Sequence, residues 1–235
     1  MTRLGREKVG AVIAAAGSSQ RMGGVDKIFL SLAGKPLLAH VLAVFQECTM
    51  VDQIVIVLNE TSLERGQRLV EEGGFSKVIG IWPGGERRQD SVAEGLKRLE
   101  GCQWVVIHDG ARPCLTLDLI EKGLEEAEQT GAAIAAVPVK ETIKIVEAEG
   151  TIQNTPRREN LWAAQTPQVF RFDIIREAYR QRKGEATDDA SLVEALGYKV
   201  RIYMGSYDNI KVTTQDDLAL AEIILRERNA RRHRL

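Results

Sequence analysis

Cysteine is scarce in this chain of 235 residues. There are three, Cys48, Cys102 and Cys114, an odd number with no C-x-x-C spacing among them. That excludes a disulfide framework and a structural zinc site of the usual pattern. Three free thiols fit a reducing compartment. Long apolar runs are missing too: none approaches the ~20 residues that span a bilayer. No apolar segment stands behind the charged start Met1–Lys8 as in a secretory leader, so the expectation is a cytoplasmic protein that makes no membrane contact. Neither sign of charge is in excess. Lys plus Arg is 32 and Asp plus Glu is 33, a net charge of −1, which argues against a nucleic-acid partner and leaves room for local basic pockets. Two common nucleotide loops are also absent: neither G-x-G-x-x-G nor G-x-x-x-x-G-K-[ST] occurs, so the chain carries neither a dinucleotide fingerprint nor a P-loop.

What is present is an ordinary globular balance, with 44% apolar and 28% charged residues, in a chain long enough to bury its own core. Short runs rich in Val and Ile occur at Val9–Ala15, Gln53–Leu58, Lys77–Ile81, Trp104–His108 and Ala132–Val137. Several are apolar nearly throughout, as parallel strands buried on both faces are. Between them Pro36–Glu47, Ser62–Glu72, Gln89–Leu99 and Leu117–Gln129 carry Leu, Val and Ala at helical spacing. The alternation predicts an α/β fold, a Rossmann-like, doubly wound, mostly parallel sheet with right-handed crossovers, in one domain over residues 1–235. The pattern breaks at Lys140–Thr155, where Ile143, Ile145 and Ile152 alternate around the turn residues Glu149–Gly150. This predicts a β-hairpin, either an arm standing off the sheet over about residues 139–158 or an ordinary edge hairpin. Strands at Thr166–Phe170 and Lys199–Tyr203 and helices at Phe172–Gln181, Asp189–Leu196 and Gln215–Arg228 complete the order. The tail Arg226–Leu235, with five arginines, reads as a solvated helix end.

Six segments carry chemistry. "AAAGSSQRM" at Ala14–Met22 follows the first strand, and small residues let backbone N–H groups approach phosphates, with Arg21 and Lys27 supplying positive charge. "PGGERRQDS" at Pro83–Ser91 joins a strand to a helix, where Asp90 or Ser91 suits a cap and Gly84–Gly85 lets the backbone approach a ligand. "VVIHDGARP" at Val105–Pro113 ends a buried strand in Asp109, at the edge where such sheets bind ligands, and an Asp there is a hard-oxygen ligand for Mg²⁺ shared with phosphates. Arg112 sits within reach of that carboxylate, and His108 reads as a packed, hydrogen-bonded histidine. Arg157 and Arg158 follow the hairpin, as solvated arginines or as a phosphate contact. Thr187-Asp188-Asp189 has helix-capping chemistry. "DNIKVTTQDDL" at Asp208–Leu218 predicts a short strand bearing Lys211, explained by a bound anion or an edge position, with Thr214 as the cap of the last helix.

Taken in order, these segments resemble the 2-C-methyl-D-erythritol 4-phosphate cytidylyltransferases of the non-mevalonate isoprenoid pathway, from about Val9 to Arg226. The resemblance rests on Ala14–Met22 with Lys27, His108–Pro113, Arg158 with Trp162 and Thr166–Gln168, Thr187–Ser191 and Asn209–Thr213. It implies transfer of CMP from CTP to 2-C-methyl-D-erythritol 4-phosphate, with Mg²⁺ as cofactor and a homodimer interlocked by the β-arm. It further implies that Ala14, Ala15, Ala16 and Gly17 line the nucleotide, with Arg21 and Lys27 on its phosphates. Gly85, Glu86 and Ser91 would hold the cytosine and its surroundings, and Asp109 would bind the metal with Arg112 beside it. Thr142 and Arg158 of the partner subunit would meet the erythritol phosphate, and Thr166, Thr187, Asp208 and Lys211 would complete the site, Lys211 acting with Arg21 and Lys27 where charge develops. Arg158 is preferred over Arg157 because it lies four residues before Trp162. Two other readings are a ribitol 5-phosphate cytidylyltransferase and a non-catalytic nucleotide-binding module. Joint retention of Arg21, Lys27, Asp109 and Lys211 disfavours the second.

Overall fold

The computed structural model describes residues 7–17 and 26–232. Four strands form the parallel half of the sheet: β1 (Val9–Ala14), β4 (Gln53–Leu58), β5 (Val78–Pro83) and β6 (Trp104–Asp109). Two-residue strands β2 (Ser31–Leu32) and β3 (Lys35–Pro36) make a separate small hairpin. The other half holds β7 (Ala132–Pro138), β10 (Trp162–Arg171) and β11 (Arg201–Met204), giving the order β11-β7-β10-β6-β1-β4-β5. Helices α1 (Leu37–Glu47), α2 (Leu63–Gly73), α3 (Arg88–Leu96), α4 (Leu117–Thr130), α5 (Phe172–Gln181), α6 (Asp189–Ala195) and α7 (Gln215–Arg232) supply the connections and flanks.

Period-two alternation within each strand sorts the apolar side chains into two layers. Ile13, Ile54, Ile56 and Val106 pack with Leu42 and Phe45 of α1 and Ile120 and Leu124 of α4. Their neighbours Val12, Val55, Val57 and Ile107 pack on the opposite face with Val92 of α3 and Ile175 of α5. Burial on both faces is why these strands read as unbroken apolar runs. A third cluster, Leu32, Leu37, Cys114, Val212, Ala221 and Leu225, seats α7 beside the end of β6. Val212 N–H donates to the Ala111 carbonyl (2.8 Å), which ties the Lys211 loop to that end.

β10 runs antiparallel to both β6 and β7. The chain leaves β7, runs through the hairpin of β8 (Ile145–Val146) and β9 (Ile152–Asn154), and returns without a crossover helix, so the returning strand must point the other way. The hairpin is its own two-stranded sheet, with Ile143, Ile145, Val146 and Ile152 exposed. Its base is pinned by Val139 N–H to the Leu161 carbonyl (3.0 Å) and Arg158 Nη1 to the Lys140 carbonyl (3.0 Å).

Local expectations fail in three places. Residues 208–214 form no strand: Lys211 lies in a loop held by the α7 cluster, because Ile210 and Val212 find their apolar neighbours there rather than in a sheet. Neither Asp90 nor Ser91 caps α3. Arg87 occupies that position with no side-chain cap, and Asp90 pairs with Arg87 (2.8 Å) and Arg182 (3.0 Å) instead. The β2–β3 hairpin has no counterpart in the sequence reading, its two-residue strands being too short to show a period. Two caps do form as the sequence suggests. Asp188 accepts from Ser191 N–H (3.0 Å), and Thr214 and Asp217 bond reciprocally at the start of α7.

Candidate active site

The sheet reverses its winding at β1, whose neighbours are β4 on one side and β6 on the other. Ligands in such folds bind outside the carboxyl ends of the strands at this point. Ala14 and Asp109 are register partners there. Two glycines let three turns converge. A Cβ on Gly110 would lie 2.6 Å from Ala15 Cβ, and one on Gly84 would lie 2.4 Å from Ala16 Cβ and 2.5 Å from Ser91 Oγ.

A cleft of about 110 Å³ opens at this junction, lined by Ala14, Ala15, Ala16, Gly17, Lys27, Ile28, Gly85, Glu86, Arg87, Arg88, Ser91, Asp109, Ala111 and Lys211. A second of about 310 Å³ adjoins it, lined by Arg88, Asp109, Arg112, Ala164, Gln165, Thr166, Gln168, Thr187, Asp188 and Lys211. Arg88, Asp109 and Lys211 belong to both, so two ligands would meet at one charged centre.

That centre is Asp109, buried with its carboxylate facing three cations. Arg88 Nε lies 2.7 Å from Oδ1, Lys211 Nζ 2.9 Å from Oδ2 and Arg112 Nε 3.7 Å from Oδ2. Burial alone would raise the Asp109 pKa, but Arg88, Lys211 and Arg112 outweigh it and hold the group far below the usual carboxylate range. Behind it stands a directional hydrogen-bond chain. Asp109 N–H donates to Thr166 Oγ1 (3.1 Å), and Thr166 Oγ1 lies 3.0 Å from His108 Nδ1. His108 Nε2 lies 3.3 Å from the Arg112 carbonyl, which only accepts, so Nε2 carries the proton and Nδ1 accepts from Thr166. Burial pushes the His108 pKa down to about 3, so the ring is neutral. Asn209, also buried, completes the frame: its Nδ2 donates to the Thr166 carbonyl (2.7 Å) and its backbone carbonyl accepts from Arg112 Nη1 (2.7 Å).

Of the residues singled out from the sequence, Ala14 to Gly17, Lys27, Gly85, Glu86, Ser91, Asp109 and Lys211 line this one cleft. Arg112, expected beside Asp109, has its Nε 3.7 Å from that carboxylate and lines the second cleft with Thr166 and Thr187. Asp208 lines neither cleft and pairs with Arg228 (3.2 Å). Thr142 and Arg158 are exposed on either side of the β8–β9 hairpin and line neither cleft of their own chain. Arg21 lies outside the described residues. Sequence reasoning missed Arg88. The available signal was a cation in the first turn of a helix, where the dipole disfavours it unless an anion is near. Among the described residues no three or more His, Cys, Asp or Glu side chains cluster as a metal cage, and no helix is long and apolar enough to cross a membrane.

A doubly wound sheet with a small-residue turn, a buried carboxylate and converging cations at its switch point has the fold and site of a nucleotidyltransferase. The sequence profile of the 2-C-methyl-D-erythritol 4-phosphate cytidylyltransferase family matches residues 9–227. The enzyme of that name from Dehalococcoides mccartyi (strain ATCC BAA-2266) is 56% identical over 221 residues, covering 94% of this chain and 97% of its own. The solved 4-diphosphocytidyl-2C-methyl-D-erythritol synthase from Anaerococcus prevotii superposes with a TM-score of 0.84 at 29% identity, covering 94% of this chain and 96% of its own. The solved 2-C-methyl-D-erythritol 4-phosphate cytidylyltransferase from Thermus thermophilus gives 0.75 at 34% identity, covering 93% and 99%. The chain belongs to the 2-C-methyl-D-erythritol 4-phosphate cytidylyltransferase family, and its activity is that of a cytidylyltransferase in isoprenoid precursor synthesis.

Proposed function

We propose that the two adjoining clefts hold CTP and 2-C-methyl-D-erythritol 4-phosphate, and that catalysis is positioning and charge stabilisation around Asp109. The observation that carries this is the sharing of Arg88, Asp109 and Lys211 by both clefts. The acceptor phosphate oxygen attacks the α-phosphorus of CTP. A new O–P bond forms, the bond to the β-phosphate oxygen breaks, and pyrophosphate leaves. A phosphomonoester has its second pKa near ~6, so the nucleophile is largely ionised at neutral pH and needs no general base. That matches a site whose histidine is neutral, buried and hydrogen-bonded at both nitrogens.

The barrier lies in bringing two polyanions together and in the charge gathered at the five-coordinate phosphorus. The small-residue turn Ala14–Gly17 allows close backbone approach, and Lys27 faces the same cleft. Lys211 and Arg88 stand where both ligands meet, and Arg112, Thr166 and Thr187 border the acceptor side. Asp109 already holds the three cations together, so little reorganisation is needed when phosphates arrive. We assign the divalent metal to Asp109. Its ionised carboxylate fits Mg²⁺, which is commonly held by one or two carboxylates with substrate phosphates and water completing the shell. When bound, the ion supplies neutralisation of charge on the triphosphate. We further assign the arm to a homodimer contact, supported by its four exposed aliphatic side chains, with Thr142 and Arg158 serving the partner's acceptor cleft. Asp109→Asn tests the centre: turnover should fall by at least ~10²-fold, and unchanged turnover would remove Asp109 from the reaction.

A further inference from the structure

Asp189 is completely buried in the first turn of α6, one residue past the capping Asp188. Its two oxygens have separate partners. Oδ2 lies 2.7 Å from Arg88 Nη2, and Oδ1 accepts from the Tyr179 hydroxyl at 2.6 Å. The same Arg88 guanidinium reaches Asp109 with its Nε. An unbroken polar chain therefore runs from Tyr179 on α5 through Asp189 on α6 and Arg88 on α3 to Asp109 on β6.

Nothing in the capping of α6 requires this, because Asp188 already serves the cap. Nor is it a cheap way to hold three helices together: a buried ion pair loses hydration that apolar packing would not cost. The location supplies the reason. Arg88 borders both clefts, and a guanidinium anchored at one end only would swing toward any arriving phosphate. Held by carboxylates at both ends it is a fixed cation, the condition under which electrostatic stabilisation works without reorganisation. Burial would weaken the Arg88 charge, but Asp189 and Asp109 more than restore it. Burial beside Asp189 pushes the Tyr179 hydroxyl up, so it remains a protonated donor.

We propose that Asp189 and Tyr179, which line neither of the two clefts, are positioning residues for nucleotidyl transfer: they fix the Arg88 guanidinium against Asp109. The inference rests on the reading of the Asp109 centre as the place where the two phosphates react.

Tyr179→Phe is the test, since it removes one oxygen atom and leaves the aromatic packing. With Arg88 aimed less sharply, kcat should fall about fivefold to tenfold, the scale of coupling between residues in one hydrogen-bond network. KM for CTP should stay within about twofold, because the nucleotide loses no contact of its own. In an Asp189→Asn background, where the ion pair with Arg88 is already lost, the same substitution should cost nothing further. Unchanged kcat in Tyr179→Phe, or an equal fall in the presence and absence of Asp189, overturns the proposal. Should Asp189→Asn not fold, the kcat-against-KM split of Tyr179→Phe decides alone. Wild-type turnover of CTP with 2-C-methyl-D-erythritol 4-phosphate is measured alongside. Its absence would refute the underlying reading, whereas its presence beside an indifferent Tyr179→Phe refutes only this inference.

Discussion

Ala14 and Asp109 face each other across the last paired positions of two parallel strands, β1 and β6. Gly110 N–H closes the junction by donating to the Ala14 carbonyl (2.9 Å). Everything that handles charge is placed relative to this pair: the small-residue turn follows Ala14, and three cations surround Asp109.

Lys27 lines the smaller cleft with that turn. Lys27→Ala should lower kcat by ~10²–10³, the usual cost of losing one preorganised contact to developing charge. KM for CTP should rise far less. Steady-state pyrophosphate release measures both, and a variant with unchanged kcat would take Lys27 out of catalysis.

Arg158 is exposed beside the β8–β9 hairpin and lines neither cleft of its own chain. Arg158→Ala should raise KM for 2-C-methyl-D-erythritol 4-phosphate and leave that for CTP nearly unchanged. Val146→Glu with Ile152→Glu, which puts charge on the exposed aliphatic face, should yield a monomer by light scattering with the same acceptor-side defect. Full activity in a monomer would refute completion of the site by a partner.

His108 makes stability depend on pH. Its folded pKa is depressed to about 3, while an unfolded histidine titrates near ~6.5. Between those values the unfolded chain binds the extra proton, so the stabilisation is whole above ~6.5 and is lost as pH falls toward 3. From pH 8 to pH 5 this one group should cost about 2 kcal/mol of unfolding free energy. Denaturant titrations of the wild type and His108→Asn check it: the variant should show a shallower pH slope over that range. Equal slopes would mean that His108 is not held neutral.

The central sheet is legible in the sequence because its strands are buried on both faces. Gln53–Leu58 and Ala132–Val137 can hardly be read otherwise, and Phe172–Gln181 shows its helical face plainly. The site is legible where function leaves a local mark: small residues after β1, an Asp ending an apolar strand. What escapes are long-range pairings. Asp189 looks like a capping residue by spacing, and only the fold turns it inward to Arg88, 101 residues earlier in the chain. Lys211 looks like a strand residue because Ile210 and Val212 alternate around it, yet those two pack toward α7. The antiparallel sense of β10 depends on the hairpin before it, which no pattern within β10 records.

Pyrophosphate release with CTP and Mg²⁺, comparing 2-C-methyl-D-erythritol 4-phosphate with D-ribitol 5-phosphate, is the measurement to make first. Turnover with the methylerythritol phosphate alone is expected. Turnover with ribitol phosphate alone would contradict the acceptor assignment while keeping the CTP cleft, and turnover with neither would contradict the reaction itself.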